Sequence, residues 1–146
     1  MSDYEKYEQD CKQIRAENQK LLDDFETWLR NKNLVDDTIR THTSNIDFYI
    51  NQFLLYREAK EAKEGHTEVS WFLGDWFIRK AMWASVSSIK ENAASLKKFY
   101  TFMLEKGCIS EDDLIDLKET IKDEMPDWLE ELRRFDNLSI EDFGDS

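Results

Sequence analysis

The chain is poor in residues that turn a backbone. One proline and four glycines in 146 positions are too few for the many tight connections of a β-sandwich or barrel, so helices are expected. Cysteine is nearly absent. Cys11 and Cys108 stand far apart, which builds neither a disulfide framework nor a zinc site, and both read as ordinary reduced thiols. No apolar run approaches the ~20 residues that a membrane-spanning helix needs. The opening Met1-Ser2-Asp3-Tyr4-Glu5 is acidic and polar rather than a secretory signal, so a cytoplasmic location is expected. The two histidines, His42 and His66, have no neighbours at ligand spacing, so no metal or other cofactor is expected.

What the chain does have is apolar, aromatic and acidic. An apolar content of 40%, with 13% aromatics, argues against disorder, and the length suits one helical domain with a real core. The net charge of −12 is unevenly spread. Residues 107–146 carry −10 of it, whereas residues 71–106 carry +3. A mildly basic patch therefore precedes a strongly acidic C-terminal piece.

Apolar spacing and capping residues place the helices. The first covers 4–31, with Leu21, Leu22, Phe25, Trp28 and Leu29 on its buried side, and Asn31-Lys32-Asn33 stops it. A second runs from about Asp36 to Arg57, with Asp36 or Asp37 capping its first amides, and buries Ile39, Ile46, Tyr49, Ile50, Phe53 and Tyr56. The charged stretch 58–66 reads as a linker. A third helix, about Glu68 to Trp83, is apolar nearly all round; its tryptophans are expected in the core rather than stacked on bases. Ser85 caps a fourth helix that Gly107 ends, Ser110 caps a fifth to about Lys122, and Pro126 opens a short sixth through Arg134. Residues 136–146 read as loose. His42 is expected to be semi-buried.

The fourth helix is the most informative. Val86, Ile89, Ala93, Leu96, Tyr100 and Met103 form its apolar seam. Opposite lie Lys90, Ala94, Lys97 and Thr101, with Ser87, Glu91 and Lys98 beside them. Small side chains between lysines let a helix approach a phosphate backbone closely. The first turns of the second helix add Thr38, Arg40, Thr41, Thr43 and Ser44, which suit hydrogen bonds to phosphate.

Three segments taken in order, Phe25-x-x-Trp28-Leu29 through Thr38-Ile39-x-x-His42, then Ser87-Ser88-Ile89 through Ser95-Leu96-Lys97-Lys98-Phe99-Tyr100-Thr101-Phe102, then Leu104-Glu105-Lys106-Gly107-Cys108-Ile109, carry a family likeness. The chain resembles the N-terminal core-binding domain of phage integrases and tyrosine recombinases, over roughly residues 21–110. The resemblance implies an all-α, SAM-like fold of two crossed helical hairpins, four main helices in all, here followed by short C-terminal helices. It divides the chain into an N-terminal helical extension (1–20), the core-binding domain (21–110) and an acidic helical tail (111–146). It also implies that the second and fourth helices face DNA, through Thr38, Arg40, Thr41 and Ser44 and through Ser87, Lys90, Lys97 and Lys98. The family's catalytic His-x-x-Arg is missing after both His42 and His66, and 36 residues after Ser110 cannot hold the catalytic domain, so no cutting or rejoining of DNA is expected.

The acids at 111–113 and 123–131 have no histidine among them and read as solvated helix faces rather than catalytic groups. The acidic tail has three readings: a solubilising surface, a strand of charge that folds back on the basic stripe, or a docking element for a basic partner with Trp128, Leu129, Leu132 and Phe135 as anchor. The expected function is a weak, largely non-specific DNA-binding or recombinase-accessory module. The alternative is a protein-interaction module that kept the fold and lost the DNA. Neither reading involves an enzyme, a membrane or a small-molecule substrate.

Overall fold

The structure is a computed structural model that describes residues 1–144, with side-chain surroundings described through Leu138. It is all helical. The first rod, α1, spans Asp3–Asn31; Ser2 caps it by accepting the Glu5 amide, and Asn33 leaves it in the left-handed conformation at φ 63°. Phe25 and Leu29 enter the main core. The amino-terminal half is docked as well. Cys11 and Ile14 pack on Leu55, the Tyr7 hydroxyl donates to the Leu55 carbonyl, and buried Asn18 donates to the Ile50 carbonyl at 3.2 Å. Residues between Tyr7 and Asn18 are thus docked on the 50–55 segment.

The second rod, α2, spans Asp36–Phe48 and continues through a widened π turn, Tyr49–Phe53. Its N-cap is Val35, which offers no side-chain bond; Asp36 instead pairs with Arg30 and Asp37 with Arg40. Tyr56, expected in the core, is half exposed.

The segment expected to be a loose linker is anchored. A 3₁₀ turn, Ala62–Thr67, buries Ala62 and Gly65. The Tyr100 hydroxyl donates to the Ala62 carbonyl at 2.8 Å and the Tyr49 hydroxyl to the Gly65 carbonyl at 2.6 Å. Burial pushes both phenols well above their usual pKa, so both stay protonated and donate. Composition missed this because two distant tyrosines supply the polar partners that a charged segment does not provide for itself.

The third rod, α3 (residues 69–80), is Val69–Trp71, a second π turn Phe72–Trp76, and Phe77–Lys80. The two widened turns meet through aromatic rings: Tyr49 and Phe72 centroids are 4.8 Å apart, as are Phe53 and Phe72. The fourth rod, α4, spans Val86–Glu105, opened by a reciprocal Ser85–Ser88 capping box and followed by Gly107 at φ 78°. The expected boundaries of this helix hold almost to the residue.

The fifth rod, α5, spans Glu111–Gly144 without a break. The sequence suggested two short helices and a loose end; instead Pro126 sits inside one helix. A proline inside a helix removes one backbone donor and its ring crowds the carbonyl four residues back; Pro126 is exposed, and burial of the apolar stripe that continues past it offsets that cost. Leu114, Leu117, Ile121, Trp128 and Leu132 follow one another by three, four, seven and four, a single stripe, and all are buried in the main core. The predicted looseness of 136–144 is likewise replaced by helix; residues 145–146 lie outside the described residues. Residue 110 is therefore no packing boundary, because 111–132 share one core with α1 to α4. Trp128 rests against Gly74 in the widened turn of α3. Among the described residues, no helix is long and apolar enough to cross a membrane.

Candidate nucleic-acid interface

The expected contact helices, α2 and α4, cross on a buried polar knot. Ser95 is completely buried at the crossing. Its Oγ lies 2.7 Å from His42 Nδ1, accepts from Asn45 Nδ2 at 3.0 Å, and donates to the Glu91 carbonyl at 3.1 Å. A hydroxyl has one proton to give, so with that proton on Glu91 the Nδ1 of His42 must carry its own. His42 is hydrogen-bonded as its spacing suggested, but buried rather than semi-buried. Its pKa is lowered, first by burial and then by the neighbouring Lys98 charge, so the imidazole is held neutral.

That depression fixes a pH dependence. The unfolded chain takes up a proton near the ordinary value of 6.5, before the folded one does. Stability from this group is therefore complete above pH ~6.5 and falls as the pH drops through that value. Thermal melts at pH 7.5 and 5.5 should show a loss on acidification that His42→Asn reduces.

The structure brings some candidates together and separates others. Lys98 is half-buried and lies beside His42, which places it by the row on the same flank of α2, half-buried Thr38, Thr41 and Asn45. Lys90 and Lys97 are exposed, two turns apart on one stripe of α4, with Ser87 exposed near its start. Among the described residues, no carboxylate comes within 4.0 Å of Lys90, Lys97 or Lys98. Arg40 is different: it is ion-paired to Asp37. Ser44 is exposed in a shallow groove shared with Asp23, Glu26 and Asp47, where local charge disfavours a phosphate.

Sequence reasoning missed Asn45 and Ser95 as members of this face. Asn45 sits four residues beyond Thr41 and seven beyond Thr38, so helical spacing could have found it. Ser95 meets His42 across 53 positions, a contact no local pattern reveals. It also missed the loop between α3 and α4. There Met82 is 99% exposed and Trp83, expected in the core, is 58% exposed. Trp83 is not loose: its ring lies 5.4 Å from Phe48 of α2 and 6.2 Å from Phe77 of α3, centroid to centroid. The half-buried flank of α2 thus runs from Thr38 through Thr41 and Asn45 to Phe48, and ends against Trp83. Compared with protein-family models, curated proteins and solved structures, the chain matched none of them.

Proposed function

We propose that this protein is a non-catalytic module that rests its α2/α4 face on the backbone of duplex DNA, weakly and without strong sequence preference. The observation that supports this most is the set of three lysines, Lys90, Lys97 and Lys98, with no carboxylate within 4.0 Å among the described residues: Lys98 beside the hydroxyl and amide row of α2, and Lys90 and Lys97 on a separate exposed stripe of α4. In a chain of net charge −12, leaving these cations without acids is an arrangement a polyanion can use. Phosphate contacts position a helix without reading sequence, which suits lysines and small hydroxyls.

The salt dependence follows from the count. Three lysine–phosphate contacts give a slope of log affinity against log salt of about −2.7; release of Arg40 from Asp37 onto a fourth phosphate would take it to about −3.6. The test is fluorescence anisotropy of a labelled duplex of about 25–30 bp with the full chain, at low and physiological salt. Lys90→Ala with Lys97→Ala should weaken binding and flatten the slope by about 1.8. Unchanged binding by the double variant, or no binding by the unaltered chain at tens of micromolar, would discard the reading.

The second reading, a protein-interaction module, takes its support from α5. That helix carries most of the net negative charge, and Asp112, Asp116 and Glu119 are exposed along its first turns. The apolar anchor imagined for a mobile tail is already committed: Trp128 and Leu132 are buried in the core, with Leu129 and Phe135 packed against it. Any basic partner would have to meet the acidic outer face of α5, not an amphipathic segment that swings out.

A further inference from the structure

The 81–85 loop combines three properties at one place. It is apolar and outward: Met82 is almost wholly exposed, Trp83 mostly so, and Val86, in the first turn of α4, is 47% exposed. It is rigidly based, because Trp83 packs on Phe48 and Phe77, and the Ser88 hydroxyl donates to the Trp83 carbonyl at 3.2 Å. It is also continuous with the candidate phosphate-binding surface. Phe48 closes the half-buried row of α2, Ser87 lies just beyond Val86, and Lys90 is one turn further along α4.

Exposed methionine and tryptophan at adjacent positions are costly to leave in water and mark a contact surface. The charge of their surroundings decides the occupant. Residues 81–89 carry no charge, and the charged residues that bracket them along the chain are both cations, Lys80, which lies over the Tyr56 ring at 5.5 Å, and Lys90, which has no carboxylate partner among the described residues. A duplex offers both what these cations need and what the apolar tip needs: phosphates, and an apolar stack of bases between them. Methionine is among the side chains that proteins insert between base steps, partly unstacking them and kinking the duplex.

Building on the proposed phosphate-binding face, we infer that Met82 is an apolar wedge that enters a base step at the end of that face, with Trp83 as its rigid base. The ligand class is accordingly duplex DNA that is already easy to unstack, such as a mismatch, a bulge or a flexible pyrimidine–purine step. The unstacking cost falls on the protein in an intact duplex and is largely absent in a bulged one.

The experiment compares two labelled 30-bp duplexes, one intact and one with a central two-base bulge, against the full chain, with 2-aminopurine beside the bulge as a stacking probe. The bulged duplex should bind about tenfold more tightly and its 2-aminopurine should brighten on binding. Met82→Ala should remove most of that preference while leaving salt-sensitive binding to the intact duplex, and Met82→Leu should retain it. Because Met82 is exposed, neither substitution threatens the fold. Equal affinity for the two duplexes, with a salt slope still present, would overturn the wedge and leave the phosphate-binding face standing. Absence of binding to both would overturn the two together. A preference for the bulge that Met82→Ala leaves intact would also overturn it, as would a Met82→Ala effect on self-association alone, which would make the tip a contact between copies of this chain.

Discussion

A chain cut after Ser110 should show no cooperative thermal transition, where the full chain melts sharply. The cut removes Leu114, Leu117, Ile121, Trp128 and Leu132, all buried in the common core. Burial of such side chains stabilises by about 1.5–3 kcal/mol each, so about 8–15 kcal/mol goes with them. A domain of this size is stable by only about 5–15 kcal/mol in all. The remainder would also expose what α5 covers, including the Gly74 face of α3. Circular dichroism through a melt, with dye binding to exposed apolar surface, reads both effects. A cooperative transition within a few degrees of the full chain's would show that α5 is an appendage after all. The result matters for the DNA reading, since loss of binding in that truncation would report unfolding and not the absence of an acidic regulator.

Gly65→Ala should lower stability by about 2–4 kcal/mol and the melting temperature by roughly 10 °C. A methyl group at Gly65 would collide with the Tyr100 hydroxyl, stand 2.7 Å from Leu54 Cδ1 and 3.2 Å from Tyr49 Cε2. None of the three has room to yield, since Leu54, Tyr49 and Tyr100 are all buried. Displacing Tyr100 also breaks its bond to the Ala62 carbonyl and leaves a buried acceptor unmatched. Tyr100→Phe separates the two costs: it should lose about 1–2 kcal/mol alone, and less additional stability on adding Gly65→Ala. A chevron or equilibrium urea titration checks the values. A Gly65→Ala change of under about 0.5 kcal/mol would mean that the 3₁₀ turn relaxes freely.

The sequence disclosed most where an element carries its own punctuation. Helix α4 was bounded by Ser85 and Gly107, and the stop after α1 by Asn33, because a cap or a left-handed turn is a local need that a local residue meets. It disclosed least where distant groups decide. Pro126 favours a fresh start when read locally. Only the seven-residue step from Ile121 to Trp128, two full turns on one stripe, reveals that the helix continues. The 62–67 turn looked like a solvated linker because its partners are hydroxyls contributed by Tyr49 and Tyr100. In the candidate interface, spacing alone put Lys90 and Lys97 on one stripe. Spacing cannot show that Ser95 underlies His42, or that Trp83 leaves the core to lean on Phe48. The pairing of Arg40 with Asp37, three positions back, is a local contact that helical spacing does disclose.

The widened turn at Phe72–Trp76 sets the compass bearing of everything after it. Each residue of a helix advances the chain by about 100° of rotation, and a π turn holds one residue more than the ideal ladder. The 81–85 tip hangs from the end of α3, so its azimuth around the molecule depends on that surplus residue being kept. Strike it out, and Met82 would swing through about a quarter of a circle. The molecule behaves here like a threaded screw with its pointer fixed at one mark: the aromatic packing inside and the direction of the tip outside are set by the same single residue of thread.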